Sequence, residues 1–171
     1  MIKKIDLLKK LDKKNIDYKI FEHEPFYTVA DSNKNRAKIE GAHTKNLFLK
    51  NKKNQFILFS CDENSIINLK SFSKAIKVNN LSFAKADYLQ RYLGTQPGSV
   101  SPYGLLNDFN NVVDFYLEEF IYKNTKINFH PLINTSTLTI KTDEFISFML
   151  ENKIKINIFS LNENRVIKVY E

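Results

Sequence analysis

Glycine and proline are scarce in this chain of 171 residues, which holds only four of each. Cysteine occurs once, as Cys61, so the sequence excludes a disulfide framework and a thiolate metal cluster. No apolar run approaches the ~20 residues that a membrane span needs. The opening segment MIKKIDLLKKLDKK is too charged for a signal peptide. We therefore expect a soluble protein of the reducing cytoplasm with no membrane partner.

Positive charge is in excess, because 26 Lys and Arg residues outnumber 19 Asp and Glu residues and give a formal net charge of +7. A basic balance favours polyanions such as nucleic acid or an acidic membrane surface. The alternative is a lysine-rich surface that only meets solvent. The length suits one domain with a core of its own, and we predict that residues 1–171 form a single domain.

Hydrophobic spacing predicts intermixed helices and strands. The opening helix carries apolar residues at every third position and ends near Asn15; these residues are Ile2, Ile5, Leu8 and Leu11. Further helices are predicted over 30–39, 67–77 and 84–93 and from Thr142 onward, with Ser82 as N-cap and Gly94 as terminator of the third. Strands are predicted over 17–23, 46–50, 55–61, 112–116, 135–141 and, as the last one, 154–159. The pattern predicts a single α/β domain with a mixed, curved β-sheet flanked by helices.

The few glycines and prolines are concentrated in LGTQPGSVSPYGLLND, residues 93–108. Residues 94–104, here called the glycine loop, hold Gly94, Pro97, Gly98, Pro102 and Gly104. Glycine permits positive φ and close approach to a ligand, and proline stiffens the chain. Backbone N–H groups of such a loop can hold a phosphate or a developing oxyanion. A purely structural turn is the alternative, since the spacing fits neither the P-loop nor the dinucleotide fingerprint.

Two other segments carry polar side chains. In FHPLINTSTLTI, residues 129–140, His130 precedes a proline, and an amide and several hydroxyls follow. This clustering favours a polar pocket, although a lone histidine is also a common structural hydrogen-bonding group. In GAHTKNLFLKNKK, residues 41–53, Lys45 lies on one face of a predicted strand that leads to a lysine-rich turn. That turn either contacts phosphate or only solubilises a hairpin.

Metal and thiol chemistry find no support in the sequence. The histidines at positions 23, 43 and 130 lack the spacing of a ligand set, and no cysteine accompanies them. Cys61 lies in an apolar strand, which favours a buried and inert thiol. We expect no metal and no cofactor.

Together with IFEHEPFYTVADS at 20–32, these segments occur in the order found in the YbaK/ProX editing-domain superfamily, which the chain resembles from about residue 5 to 150. The patterns P-G-S-V-S-P-x-G-L and K-N-L-F-L resemble the ProX branch (ProXp-ala and PrdX-like), whose free-standing enzymes remove alanine from the tRNA for proline. The YbaK branch removes cysteine and carries a G-G-x-S-P-type loop, whereas this chain has Gln96-Pro97-Gly98. Leu138 replaces a small hydroxyl residue of many ProX members, which bears on the shape of the pocket.

The resemblance implies a trans-editing hydrolase that deacylates Ala-tRNA(Pro) with water. It implies catalytic roles for Lys45, Gly98 and His130. The substrate-binding residues that it implies are Asn46, Ser99, Ser101, Pro102, Asn134 and Thr135. Lys50, Lys52 and Lys53 are expected at the tRNA backbone, and prolyl-tRNA synthetase is a possible second partner. The alternatives are a deacylase for another mischarged tRNA, such as Cys-tRNA(Pro), and a tRNA-binding module without catalysis.

Overall fold

The computed structural model of the protein describes residues 1–25 and 39–171. The predicted helix over 30–39 falls almost wholly outside the described residues, as does most of the 20–32 segment. The helices are α1 (Lys4–Lys13), α2 (Leu69–Ala75), α3 (Ala86–Tyr88) with a π-helical turn after it (Leu89–Leu93), a 3₁₀ helix (Pro102–Asn107), α4 (Glu119–Lys123) and α5 (Thr142–Glu151). The strands are β1 (Tyr18–Glu22), β2 (Ala42–Lys50), β3 (Phe56–Asp62), β4 (Ser82–Phe83), β5 (Val113–Glu118), β6 (Lys126–Phe129), β7 (Ser136–Lys141), β8 (Ile156–Ser160) and β9 (Arg165–Tyr170).

The strands form one mixed sheet in the order β1-β7-β6-β2-β3-β5-β8-β9, and β4 pairs with the end of β2. The pairs β2–β6, β3–β5 and β5–β8 are parallel, and the others are antiparallel. Side chains of α1 and α5 lie in one apolar cluster of the core, and side chains of α2 lie in the other. The predicted α/β class with a mixed sheet flanked by helices is confirmed.

The opening helix is confirmed, but its buried face differs from the three-residue repeat. Leu7 and Leu11 are fully buried, whereas Ile5 is 58% exposed. Residues four apart lie on the same side of a helix with 3.6 residues per turn, so the pair Leu7 and Leu11 faces the core. Burying each leucine contributes about 1.5–3 kcal/mol.

The predicted hairpin over 46–61 is confirmed, with β2 and β3 antiparallel. Its NKKN turn lacks the Asn-Gly pair that short hairpins favour. The side chain of Asn51 takes over that function, because its Oδ1 accepts hydrogen bonds from the backbone N–H groups of Lys53 (2.9 Å) and Gln55 (3.0 Å).

Two local predictions were wrong. Ser82 is not a helix N-cap; it pairs with Lys50 as part of β4, and the cap position of α3 is Lys85. The strand near 154–159 is not the last, because β9 follows and covers its free edge in antiparallel pairing. The sequence of β9 mixes charged and apolar residues and gives little local signal for a strand. Its strand conformation depends on the pairing with β8.

Helices among residues 1–25 and 39–171 are all too short or too polar to cross a lipid bilayer.

Candidate active site

A cleft opens where two parallel strands separate. β2 pairs with β6 only at Ala42–Ile127 and His43–Asn128. Beyond this point β6 ends, while β2 continues beside β4. In α/β sheets the crevice at the carboxyl ends of diverging strands is a common place for a ligand. The residues that line the cleft are His43, Thr44, Asn46, Asn128, Phe129, His130 and Thr137.

The cleft is narrow, with a volume of about 20 Å³. A single water molecule needs roughly 10–15 Å³ of such space. The cleft is therefore on the scale of a water molecule, and a substrate group larger than this has to lie at its mouth or displace side chains.

The glycine loop is attached to the cleft through Asn46. The Asn46 Nδ2 donates a hydrogen bond to the carbonyl oxygen of Val100 at 3.0 Å, while its Oδ1 accepts one from the Ser60 hydroxyl. On its other side the loop meets the segment after His130, because a Cβ atom placed on Gly98 would lie 3.7 Å from Asn134 Nδ2. Three segments far apart in sequence thus meet at one place.

Glycine is required at two positions of the loop for different structural reasons. Gly98 has a φ of +89°, which side chains of L-residues rarely tolerate. Gly104 makes a close approach instead, since a Cβ there would lie 2.8 Å from Leu93 Cβ and 2.9 Å from the Leu93 carbonyl oxygen. Gly98 is therefore required by the backbone shape and Gly104 by a tight contact.

Within the loop, the hydroxyls expected to bind substrate are engaged with the loop itself. The Ser99 hydroxyl donates to the Gln96 carbonyl oxygen at 3.0 Å. The Ser101 hydroxyl, fully buried, accepts a long hydrogen bond of 3.4 Å from the Tyr103 backbone N–H at the start of the 3₁₀ helix. Pro102 is buried beside it. These three residues shape the loop from within.

Tyr103 anchors the loop in the core. Its ring is fully buried and meets Phe129, Phe145 and Phe148 at centroid distances of 6.0, 5.8 and 6.3 Å in edge-to-face arrangements. Burial raises the pKa of Tyr103 far above its usual range. Its hydroxyl is buried without a hydrogen-bond partner in the described part of the chain.

His130 has a defined ring orientation. Its Nδ1 lies 2.9 Å from the Ser136 carbonyl oxygen, and a carbonyl can only accept, so Nδ1 carries the proton. In the neutral ring Nε2 is then the basic nitrogen.

A second histidine lies next to His130. The rings of His23 and His130 are 6.1 Å apart. His23 Nδ1 donates to the Glu24 carbonyl oxygen, and its Nε2 is hydrogen-bonded to the Thr137 hydroxyl at 3.0 Å. The His23 backbone N–H donates to the carbonyl oxygen of Thr135. β1 and β7 are neighbours, and their pairing brings these residues together.

Lys45 points to the other face of β2. Alternation along the strand places it with Leu47 and Leu49, and opposite Asn46. Its ammonium donates to the carbonyl oxygens of Glu63, at 3.1 Å, and of Ser65. The structure thus brings Asn46, Gly98, His130, Asn134 and Thr135 to one region and directs the Lys45 head group to the turn after β3.

That turn is held by a buried carboxylate. Glu118 accepts hydrogen bonds from the Asp62 backbone N–H at 2.6 Å and from the Ser65 hydroxyl at 2.9 Å. Burial raises the pKa of Glu118, and these hydrogen bonds and the nearby Lys45 charge oppose the rise. Glu118 thereby fixes the carbonyl oxygens that hold Lys45.

The thiol of Cys61 is fully buried in β3. Burial raises the pKa of Cys61 to about 12. A thiol that stays protonated and shielded from solvent is inert, as the sequence indicated.

A larger groove, of about 790 Å³, lies elsewhere, between α4, the start of β6 and α5. None of the residues predicted for the site lines it. Size alone therefore does not identify the site, and we base the assignment on the polar groups that converge.

Comparison with known proteins decides the family. A family model described as "Aminoacyl-tRNA editing domain" matches residues 23–148. This range includes the whole cleft and the glycine loop. The chain belongs to the aminoacyl-tRNA editing domain family. It is an aminoacyl-tRNA deacylase, and the proposed resemblance to this family is confirmed.

Curated relatives of this editing domain share most of its length. The chain is 33% identical over 152 residues to the "Prolyl-tRNA editing protein ProX" of Acetoanaerobium sticklandii, covering 88% of this chain and 90% of that protein. It is 30% identical over 135 residues to "Prolyl-tRNA synthetase associated domain-containing protein 1" of Bos taurus, covering 76% and 78%.

A solved structure has the same fold. The crystal structure of a proposed trans-editing enzyme for prolyl-tRNA synthetase superposes with a TM-score of 0.67 and covers 90% of this chain and 93% of its own. The sequences are only 14% identical, so this likeness concerns the fold alone.

Sequence reasoning did not place four residues in the site of this editing domain: His23, His43, Asn128 and Thr137. It treated the histidines only as candidate metal ligands, and the described residues contain no cluster able to hold a metal ion. A weaker signal was present, because Asn128, Thr137 and Thr139 are polar residues inside strands, and all three are buried. The Asn128 amide donates to the carbonyl oxygens of Glu40 and Ala42 and accepts from the Thr139 hydroxyl.

Proposed function

We propose that this editing domain hydrolyses the ester of alanine mischarged onto the tRNA for proline, acting in trans on the free aminoacyl-tRNA. The observation that carries the proposal is the convergence of the glycine loop with the segment after His130, at Gly98 and Asn134. The name of the Acetoanaerobium sticklandii relative supports the tRNA for proline as the substrate class.

A prolyl-tRNA synthetase has a physical reason to need such an enzyme. Alanine has two carbon atoms fewer than proline, and each missing methylene lowers binding in a hydrophobic pocket by only about 1–3 kcal/mol. A second site that admits only the smaller amino acid corrects the error.

The glycine loop is proposed to stabilise the oxyanion. Among the described residues, none accepts a hydrogen bond from the backbone N–H of the exposed Gly98. A preorganised donor of this kind stabilises the charge that develops on the ester oxygen when water attacks. Asn46 holds the loop in place through Val100.

His130 and Asn134 are proposed to hold the aminoacyl end. His130 lines the cleft, and the bond from its Nδ1 to the Ser136 carbonyl oxygen fixes the orientation of the ring there. Thr135 adjoins them, while Ser99, Ser101 and Pro102 are proposed to act through the shape of the loop. Water is the nucleophile, with the ribose hydroxyl of the substrate as a candidate to position it.

Lys45 is proposed to contact the terminal adenosine or its phosphate. An ammonium group has three N–H donors, and two of them are used on the carbonyl oxygens of Glu63 and Ser65. Because these two bonds hold the ammonium on the face of β2 opposite Asn46, the third N–H would meet a phosphate oxygen outside the cleft. Replacing Lys45 by alanine should lower deacylation far more than it lowers stability.

A deacylation panel tests the substrate. The tRNA for proline is charged in turn with alanine, cysteine, serine and proline, and the release of each amino acid is followed. We expect alanine to be released fastest and proline to be spared. Faster release of cysteine would contradict the alanine assignment in favour of the related deacylase, and binding of tRNA without any hydrolysis would indicate a non-catalytic module.

We also propose that the whole chain forms one editing domain, beyond the 23–148 range of the family model. The observation in support is that Leu7 and Leu11 of α1 share a core cluster with Ile156 and Ile158 of β8. Prolyl-tRNA synthetase remains a proposed partner. A tRNA substrate also agrees with the predicted cytoplasmic location.

A further inference from the structure

A cluster of aromatic and cationic side chains lies beside the glycine loop. Tyr88 ends α3 and Tyr92 lies in the π-helical turn that leads directly into Gly94. Lys50 at the end of β2 and Arg91 in the π-helical turn complete the cluster. We call these four residues the tyrosine platform.

The two rings of the platform have a fixed arrangement. The rings of Tyr88 and Tyr92 are almost parallel, at 6° and with centroids 6.4 Å apart. Both pack on the buried ring of Phe56, at 5.0 and 4.6 Å. This packing orders the rings before any ligand binds, so little conformational entropy is lost on binding.

Each ring carries a cation. Lys50 Nζ lies 4.6 Å from the centre of the Tyr88 ring, and the Arg91 guanidinium carbon lies 5.3 Å from that of Tyr92. Both distances are within the range of a cation–π interaction. Because Arg91 is exposed, its guanidinium can also bind a phosphate in bidentate geometry.

Charge around the platform is strongly positive. The exposed cations next to it in sequence are Lys52, Lys53 and Lys85. Asp87 is the acidic residue within this stretch of α3 and the π-helical turn. Aromatic rings interleaved with cations are typical of surfaces that bind single-stranded nucleic acid, where the rings stack on bases and the cations bind phosphates.

The platform lies at a suitable distance from the cleft. Asn46 and Lys50 are on the same face of β2, four residues apart, which at ~3.3 Å per residue is about 13 Å. Nucleotides in a duplex strand rise by about 3.4 Å each, and unstacked nucleotides are further apart, so at most about four of them span the gap. That matches a short unpaired tail rather than a long duplex.

We propose that the tyrosine platform binds the unpaired 3′ strand of tRNA just before the aminoacylated nucleotide. The proposal rests on the proposed function, because it assumes that the aminoacyl end lies in the cleft. Bases of an unpaired strand can expose their faces to the tyrosine rings, whereas those of a duplex are stacked on one another. Sequence-tolerant stacking would hold the tail while the cleft receives the ester.

Binding of uncharged tRNA tests the platform without any dependence on the amino acid. The probes are the tRNA for proline and the same tRNA with its unpaired 3′ tail removed. For the Arg91→Ala/Tyr92→Leu variant we expect about tenfold weaker binding of the intact tRNA, in keeping with the loss of one stacked base. The tail-less tRNA should bind the variant and the native protein equally. Because Tyr92 packs on Phe56, Arg91→Ala alone, at an exposed position, serves as a second variant that preserves the fold.

The chain offers a matched control. On β9, Lys168 Nζ lies 4.4 Å from the Tyr170 ring, so Lys168→Ala/Tyr170→Leu removes the same kind of pair far along the chain from the glycine loop. We expect it to leave binding of both probes unchanged. Equal losses in both double variants, or equal losses for both probes, would overturn the proposal, as would unchanged binding in the platform variants. Unchanged tRNA binding in the platform variants would instead suit a surface that binds an acidic protein partner.

A failure of this test is distinguishable from failure of the proposed function. The deacylation panel can fail to show release of alanine while the platform still binds the tail. Conversely, alanine can be released at the native rate from an aminoacyl-nucleoside that lacks the tail, even in a platform variant.

Discussion

The side-chain amide of Asn46 joins the glycine loop to the sheet through its hydrogen bonds to Val100 and Ser60. We expect Asn46→Ala to lower the free energy of unfolding by about 1–3 kcal/mol, because it leaves a buried group unpaired. It should also lower kcat by about 100-fold, since a loop displaced by about 1 Å misplaces the N–H of Gly98 that we propose as the oxyanion donor. Chemical denaturation and single-turnover deacylation measure the two effects.

Asn157 provides the control for Asn46. Its Nδ2 donates to the Phe115 carbonyl oxygen at 2.9 Å, a comparable amide-to-carbonyl bond between β8 and β5. Asn157→Ala should therefore destabilise the protein similarly and leave kcat unchanged. If both variants lost kcat in proportion to stability, Asn46 would be a structural residue only.

A second feature at the scale of single residues is the buried hydroxyl of Tyr103, which has no hydrogen-bond partner among the described residues. A buried polar group without a partner costs about 1–3 kcal/mol. Tyr103→Phe keeps the ring contacts with Phe129 and Phe145 and removes the hydroxyl, so we expect a protein that is as stable as the native one or about 1 kcal/mol more stable. A thermal unfolding curve checks this, and a clear loss of stability would indicate that the hydroxyl has a partner such as a buried water.

At the scale of secondary-structure elements, the glycine loop requires a positive φ at Gly98 and a close contact with Leu93 at Gly104. Substitutions can test these two requirements separately. In Gly98→Ala the new methyl makes only an ordinary contact with Asn134 Nδ2, at 3.7 Å, but it sits on a residue with a φ of +89°. We therefore expect a cost of about 1–2 kcal/mol together with a large loss of kcat. Gly104→Ala forces a Cβ against Leu93 at 2.8 Å. Overpacking of this kind costs about 1–3 kcal/mol, without a direct effect on the oxyanion donor.

Melting temperature and kcat distinguish the two glycines. In a protein of this size about 1 kcal/mol corresponds to roughly 2–4 °C. Gly104→Ala should lower the melting temperature at least as much as Gly98→Ala, while retaining more kcat below it. Full kcat in Gly98→Ala would remove the Gly98 N–H from the reaction.

At the scale of the whole molecule, the net charge of +7 is expected to act through Lys50, Lys52 and Lys53. If these three neutralise about three phosphates, log affinity for tRNA falls with log salt at a slope of about −2 to −3. The triple alanine variant should bind tRNA more weakly and show a flatter slope. Binding measured by titration at several salt concentrations gives both quantities.

Hydrolysis of a minimal aminoacyl-nucleoside is the control for the lysine variant. This substrate lacks the stem, so its turnover should not change. A salt slope equal to that of the native protein would mean that the lysines form only a solvated hairpin tip. Lys50 belongs to this lysine group and also to the tyrosine platform, because its ammonium contacts Tyr88 and Asn54.

Local patterns predicted much of the fold. α1, the β2–β3 hairpin, β5, β7 and α5 each have a clear apolar period or a cap signal, and all are present. β6 and β9 had no such signal, since their strand state depends on pairing with β7 and β8. Ser82 was misassigned for the same reason: a good cap residue forms a strand when an unpaired edge of β2 lies beside it.

The same division between local sequence signals and tertiary pairing applies to the site. The sequence by itself determined the stiff glycine loop, the polar segment after His130 and the excess of positive charge, because these depend on residue type and on near neighbours. Only the tertiary structure decided that His23 lies beside His130, that Lys45 and Asn46 leave β2 on opposite faces towards different partners, and that Tyr88 and Tyr92 meet Lys50 and Arg91. These arrangements depend on which strands pair and in which register, and that choice is made by burial over the whole sheet rather than by any short stretch of sequence.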